Sequence, residues 1–177
     1  MNFWYWILIL AVIWYLSNQA GRLDRLHHRI DVTSAALDGH LGRRAGIVAE
    51  ISNASPFDPV TNAVLAQASH DALAAEPHEL LDRIDVENEL SEVLLSTFEN
   101  SDELAESIDD PIIAQLIAEL AIVCNRINLS HSFHTEAVND CVIIRNQWFV
   151  RIFRLAGHAQ LPDSFNLCSE VPAALLD

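Results

Sequence analysis

The chain has 177 residues and a formal net charge of −15 at pH 7, a length that suits one domain with a sizeable core. Nineteen acidic residues lie between positions 50 and 140, against two arginines. This balance excludes nucleic acid as a partner, because phosphate binding requires a basic face. The three cysteines form no CxxC pair and predict neither a disulfide framework nor a zinc site.

The chain opens with fourteen apolar residues, FWYWILILAVIWYL, at positions 3–16. With residues 17–21, this run approaches the roughly 20 residues that a helix needs to cross a bilayer. Aromatic rings settle between headgroups and hydrocarbon, and both ends of the run carry them: Trp4, Tyr5, Trp6, Trp14 and Tyr15. We therefore predict a membrane anchor over residues 1–21. A cleaved signal peptide and a helix lying in the interface are the alternatives.

Three arginines follow the anchor at positions 22, 25 and 29, and no charged side chain precedes it. Because basic residues are retained on the cytoplasmic side, this asymmetry predicts a single-pass protein of the cytoplasmic (inner) membrane, with its soluble domain in the cytoplasm. Unpaired cysteines agree with such a reducing compartment.

The segment after the anchor has the apolar periodicity of a long helix. Its apolar stripe comprises Leu23, Leu26, Ile30, Leu37, Leu41, Val48 and Ile51. Gly39, Gly42 and Gly46 each weaken this helix by about 1 kcal/mol where exposed, unless close helix packing uses the missing side chain. The sequence NASPFDP then predicts a turn, with Asp58 and Pro59 beginning the next helix.

Three further helices are predicted, over about Val60–Ala75, His78–Phe98 and Pro111–Phe153, with a loop between positions 100 and 110 that has room for another helical turn. Pro77 separates the first two, because proline interrupts helical hydrogen bonding. Two ladders with a step of seven run along the last helix. They are Ile113, Leu120, Ile127, His134, Cys141 and Trp148, and Ile117, Cys124, His131, Val138, Arg145 and Ile152.

These patterns predict an all-α fold, in which a single transmembrane helix is followed by an antiparallel four-helix bundle with long first and last helices. The bundle occupies residues 22–157, and residues 158–177 form an extended tail. A seven-residue seam suits packing within one chain and between chains equally, so a homo-oligomer stays an open alternative.

Several stretches of the chain resemble the LemA family of bacterial membrane proteins. RIDVTSAALDGHLGRR at positions 29–44 is similar to that family's RVDEAWSQIDVQLKRR helix, and ENELS at positions 87–91 matches the equivalent family stretch. NRI at positions 125–127, followed by Phe133, Glu136, Ala137 and Val138, resembles NRI…FYNDAV. RLAGH at positions 154–158 falls where the family has LFGF.

The chain also departs from the family pattern. Ser34 stands where the family has Trp, Gly46 and Ala49 replace the Asp and Pro of DLIPNL, and Ala156 and His158 replace the two Phe of LFGF. The chain is thus identified as a divergent member. The resemblance implies an N-terminal membrane span and an antiparallel helical bundle, without an established enzymatic activity or cofactor.

Three histidines are candidate metal ligands, because His131 and His134 are three residues apart on the last helix and His40 falls on the seam of the first. A di-iron bundle needs paired Glu-x-x-His motifs, and the sequence has none. Nucleophile and phosphate-loop motifs are missing too, and along one helix Cys141 lies about 10 Å from His134, too far for proton transfer. We therefore predict no catalytic residue, no cofactor and no resident metal.

Arginines and aromatic side chains alternate near the end of the last helix: Arg145, Trp148, Phe149, Arg151, Phe153 and Arg154. In an up-and-down bundle this end returns to the bilayer, where it is a candidate membrane-surface contact.

The sequence as a whole predicts a membrane-anchored, non-enzymatic interaction scaffold. Its partners are the lipid bilayer and an unidentified protein, which binds the acidic helices between residues 76 and 110 or the arginine-rich end. A metal-binding or enzymatic bundle at the membrane surface is the alternative.

Overall fold

The computed structural model describes residues 3–54, 57–75, 80–99, 110–148, 167–168 and 172. Within these ranges the chain forms four helices and no strand, which confirms the all-α prediction. The helices are α1 (Phe3–Ala54), α2 (Pro59–Ala74), α3 (Leu80–Glu99) and α4 (Pro111–Arg145). The segments 76–79 and 100–109, which include Pro77 and the predicted loop, lie outside the described residues, as does most of the predicted tail.

The predicted anchor and the predicted first bundle helix form one helix of 52 residues, α1. Among the described residues, the helices α1 and α4 are long and apolar enough to cross a membrane by length and composition. They differ in burial, because a third of the apolar stretch of α4 is buried and the apolar start of α1 is almost wholly exposed.

Two helices begin at an Asp-Pro pair, and the sequence predicts the first of these pairs, Asp58 and Pro59. Asp58 caps α2 by accepting hydrogen bonds from the backbone N–H groups of Val60 and Thr61, and Pro59 occupies the first turn. A hydrogen bond with the Thr61 side chain, followed by the backbone bonds from Val60 and Thr61, lowers the pKa of the Asp58 carboxyl below its ordinary value. Asp110 likewise accepts from the N–H of Ile112 at 2.8 Å and begins α4.

α4 ends at Arg145, short of the predicted end of the last helix at about Phe153, although Trp148 is helical again. The N–H of Asn146 still donates to the carbonyl of Val142, whereas that of Gln147 donates to the carbonyl of Ile144, only three residues back. This tighter bond interrupts the regular α-helical pattern after Arg145. Residues 149–153 lie outside the described residues, so the end at Phe153 stays a prediction.

The chain divides into two compact units. The anchor unit comprises Met1–Ser34 and Phe133–Ser164, and the core unit comprises Ala35–Ser132 and Phe165–Asp177. α1 and α4 contribute residues to both units, whereas α2 and α3 belong to the core unit alone.

The core unit has the larger hydrophobic core, which draws side chains from all four helices. Its fully buried members include Ile47, Ile51, Leu65, Leu90, Leu94, Phe98, Leu120 and Ile127. Phe57 meets Phe98 edge to face, with ring centroids 6.0 Å apart and planes at 89°. The predicted stripe on α1 is therefore core-facing from Leu37 to Ile51.

The anchor unit has a smaller cluster in which α1 packs against α4. Leu23 and Ile30 of α1 are buried with Ala137, Val138, Cys141 and Ile144 of α4. Leu26 is partly buried against the same cluster.

Candidate functional site

The most unusual feature of the core unit is a pair of opposite charges inside an apolar core. Arg44 of α1 is 3 % exposed and Glu87 of α3 is 1 % exposed. The Arg44 Nη2 donates to Glu87 Oε2 at 2.8 Å and to the Glu87 carbonyl at 3.0 Å, while Nη1 donates to Ser91 Oγ at 2.8 Å. Ser91 Oγ in turn donates to the carbonyl of Glu87 at 2.8 Å. We call Arg44, Arg83, Glu87 and Ser91 the buried charge network.

Arg83 completes this network at longer range. Its Nη2 lies 3.7 Å from Glu87 Oε1, and its Nη1 lies 4.0 Å from Asp38 Oδ1. Glu87 Oε1 and the Nε atoms of Arg44 and Arg83 are buried without a hydrogen-bond partner among the described residues. Burial of each ion costs several kcal/mol, and the contacts between opposite charges, with the hydrogen bonds to Ser91 and to the Glu87 carbonyl, offset this cost. Each ion of the network thus depends on its partners of opposite charge to remain buried.

The buried charge network contains residues from two of the stretches that carry the family resemblance. Arg44 closes the segment 29–44, and Glu87 and Ser91 are the first and last residues of ENELS. Asn88, inside the same stretch, accepts a hydrogen bond from the backbone N–H of Cys168 at 2.7 Å. These stretches therefore meet in space, far apart as they are in sequence.

Sequence reasoning missed the buried charge network, although a signal for it was present. Arg44 stands where the apolar stripe of α1 passes from Leu41 to Val48, and Glu87 precedes Leu90 at the same kind of position on α3. One charge of each sign on two apolar seams indicates a buried pair, because neither charge is tolerated there alone.

The candidate metal ligands do not form a metal site in the part of the chain that the structure describes. There, no group of three or more His, Cys, Asp or Glu side chains is placed to hold an ion. His134 is buried in the anchor unit, with its Nδ1 3.3 Å from Thr33 Oγ1. Because the Thr33 hydroxyl donates to the Ile30 carbonyl at 3.0 Å, its oxygen is free to accept from the ring. His40 and His131 are partly buried.

A cysteine–histidine pair does exist, but with a different histidine from the one considered in the sequence. Cys141 Sγ lies 3.9 Å from Nε2 of His27, and Nδ1 of His27 lies 3.0 Å from the Leu23 carbonyl. Donation from Nδ1–H to that carbonyl leaves Nε2 to accept from the thiol. Cys141 has no exposed surface, and apolar burial disfavours the thiolate. We assign the pair a packing role.

An open groove of about 460 Å³ lies in the anchor unit, between α1 just after its apolar start and the last turn of α4. Three arginines line its α1 side, at positions 22, 25 and 29. Asp140, Ile143 and Gln147 line the opposite side. We call this feature the arginine groove.

The predicted arginine and aromatic surface is described only in part. Arg145 is partly buried and Trp148 is 71 % exposed. Phe149, Arg151, Phe153 and Arg154 lie outside the described residues, so the membrane-surface contact stays a prediction.

No protein-family model matches the sequence, and no curated protein or solved structure matches it significantly.

Proposed function

We propose that this chain is a membrane-anchored helical-bundle protein of the LemA type, which acts as a non-enzymatic interaction scaffold at the cytoplasmic face of the membrane. The observation that carries the proposal is the start of α1. Every side chain from Phe3 to Tyr15 is exposed, including Trp4 at 78 % and Trp14 at 72 %. Apolar surface left in water costs about 25 cal/mol per Å², so a patch of this size requires a cover, and a bilayer supplies one.

The proposed antiparallel arrangement is supported by the order of contacts along the helices. In the anchor unit, His27 of α1 meets Cys141 of α4, and Thr33, further along α1, meets His134, further back along α4. This order is expected for antiparallel neighbours and supports the proposed arrangement.

In the core unit, the contacts between α1 and α3 have the opposite order, because later positions on α1 meet later positions on α3. Asp38 contacts Arg83, and Arg44, further along α1, contacts Glu87, further along α3. Contacts in this order are expected if the two helices run in the same direction, as the first and third helices of an up-and-down bundle do.

The scaffold role is supported by the outer face of α3. Asp85, Glu89, Glu92 and Glu99 are exposed there, and none of them takes part in a salt bridge within the described residues. A face of one sign steers and orients a partner of the opposite sign. We therefore propose that the scaffold binds a basic surface of a partner protein.

The test has two parts. Membrane fractionation of the full chain, before and after an alkaline carbonate wash, decides whether α1 is an integral anchor; release into the wash contradicts the proposal. Photo-crosslinking in native membranes then uses a probe at Glu92, with a probe at the exposed Ala66 of α2 as the control. A defined partner captured at Glu92 and not at Ala66 supports the scaffold, and equal labelling at both positions contradicts it.

The proposal of a non-enzymatic scaffold also predicts the metal content of the protein. The purified full chain should contain neither zinc nor iron in stoichiometric amount. One equivalent of either metal, retained through dialysis against a weak chelator, would favour the alternative of a metal-binding bundle.

A further inference from the structure

The arginine groove concentrates positive charge that the surrounding residues only partly neutralise. Arg29 lies 3.7 Å from Glu136 and 3.8 Å from Asp140, in contacts whose side chains are about half exposed. Arg22 and Arg25 are exposed and take part in no ion pair within the described residues. Like charges one helical turn apart repel each other and destabilise this face of α1. A bound anion would remove that repulsion.

The position of the groove relative to the bilayer follows from the length of the proposed anchor. This inference therefore rests on the proposed function. At 1.5 Å per residue, Arg22 lies about 28 Å along α1 from Phe3, close to the roughly 30 Å thickness of the hydrocarbon layer. Arg25 lies about 5 Å further. Both guanidinium groups then fall within the headgroup layer, where phosphates are found.

The walls of the groove suit an anion that carries an apolar body. Ile143 is exposed on the α4 side, and Leu26 is only partly buried on the α1 side. Gln147 adds an amide whose N–H groups can donate to an oxygen acceptor. Asp140 opposes an anion by its own charge, and its contact with Arg29 offsets that charge.

We propose that the arginine groove binds the phosphodiester headgroup of an anionic phospholipid. The guanidinium groups of Arg22 and Arg25 donate paired N–H bonds to the phosphate oxygens, which is the strongest geometry for this contact. Gln147 donates to the headgroup, while Ile143 and Leu26 cover the first carbons of the glycerol and acyl chain. The apolar walls and the depth favour a lipid over free phosphate.

The test uses the full chain in an uncharged detergent, mixed with equal amounts of phosphatidylglycerol and phosphatidylcholine that carry the same acyl chains. Native mass spectrometry counts the lipids retained by the wild type and by Arg22→Gln/Arg25→Gln, Arg25→Gln, Arg25→Lys and Arg126→Gln. Arg126 is an exposed arginine that does not line the groove, so its variant makes the same change of charge elsewhere.

We expect the wild type to retain one phosphatidylglycerol selectively. Loss of one arginine near a membrane surface weakens anionic-lipid binding about fivefold, so Arg25→Gln should show that loss and the double variant about a twenty-five-fold loss. Arg25→Lys should fall between Arg25→Gln and the wild type, because lysine keeps the charge and loses the paired donors. Arg126→Gln should bind as the wild type does.

Three results would overturn the proposal. They are equal retention of the two lipids, an equal loss in Arg126→Gln, and displacement of phosphatidylglycerol by inorganic phosphate at the same concentration, which would make this a soluble-phosphate site. Each leaves the proposed anchor intact, since membrane fractionation tests the anchor separately. Unchanged far-UV circular dichroism in each variant confirms that the fold is kept.

Discussion

Removal of one partner from the buried charge network should destabilise the protein far more than removal of both. In Arg44→Met, Glu87 loses its 2.8 Å partner and keeps only Arg83 at 3.7 Å, while Ser91 loses a donor. Breaking a buried ion pair by deleting one side costs about 3–5 kcal/mol. Glu87→Leu leaves Arg44 and Arg83 buried with like charge and should cost at least as much.

The double variant Arg44→Met/Glu87→Leu puts apolar side chains on both sides, and such replacements are often neutral or stabilising. Arg83 keeps its contact with Asp38, so we expect the double variant to recover most of either single loss. The coupling free energy between Arg44 and Glu87, which is the difference between the double loss and the sum of the single losses, should therefore be several kcal/mol.

Urea unfolding of the full chain in micelles, followed by far-UV circular dichroism, measures the free energy of unfolding. Urea is preferred to guanidinium because it does not screen charges. The double-mutant cycle comprises the wild type, Arg44→Met, Glu87→Leu and the double variant. Arg126→Met is a matched control on the exposed face of α4. Additive losses, or a single variant within about 0.5 kcal/mol of the wild type, would refute the reasoning.

Three other changes have defined outcomes in the same unfolding assay. Gly39→Ala should stabilise the protein by about 1 kcal/mol, because an added Cβ meets nothing within 4 Å and alanine favours the helix; a loss of stability would contradict this. Phe98→Ala should cost about 3–5 kcal/mol, because Phe98 is buried against Phe57, and a cost below about 1 kcal/mol would show that the site collapses. Asp58→Asn keeps the cap without its charge. Since folding lowers the pKa of Asp58, the wild type should lose stability relative to this variant as pH falls below the ordinary value of 3.8, and a pH-independent difference would be inconsistent with the cap.

Local signals in the sequence predicted the helices well. Asp58 and Asp110, each followed by proline, mark two helix starts, and the apolar stripe of α1 is core-facing where the structure resolves a core. The sequence leaves two interpretations of the glycines of α1: exposed positions that weaken the helix, or sites where a neighbouring helix packs closely. The empty space beside Gly39, Gly42 and Gly46 shows that no close contact uses their missing side chains.

What the sequence could not supply is which distant side chains meet. The partner of Cys141 is His27 rather than His134, because proximity across two helices depends on their rotation and not on spacing along one. The same holds for the arginine groove, whose walls come from α1 and from the end of α4 with the turn after it. A heptad pattern also does not reveal the tighter turn after Arg145, which interrupts the last helix before Trp148.

The pairing of Arg44 with Glu87 also decides how α1 and α3 are aligned along their length. Leucines and isoleucines on a seven-residue seam are nearly interchangeable, so a slip of one helix by a full heptad would exchange one apolar contact for another. With the charges in place, the same slip sets Glu87 opposite Ile51 or Arg44 opposite Leu94, so Arg44 loses its counter-charge and Glu87 keeps only Arg83 of its own helix. Each stranded ion costs several kcal/mol, so the slipped alignments lie well above the native one. A single buried ion pair thus gives an otherwise repetitive interface one register.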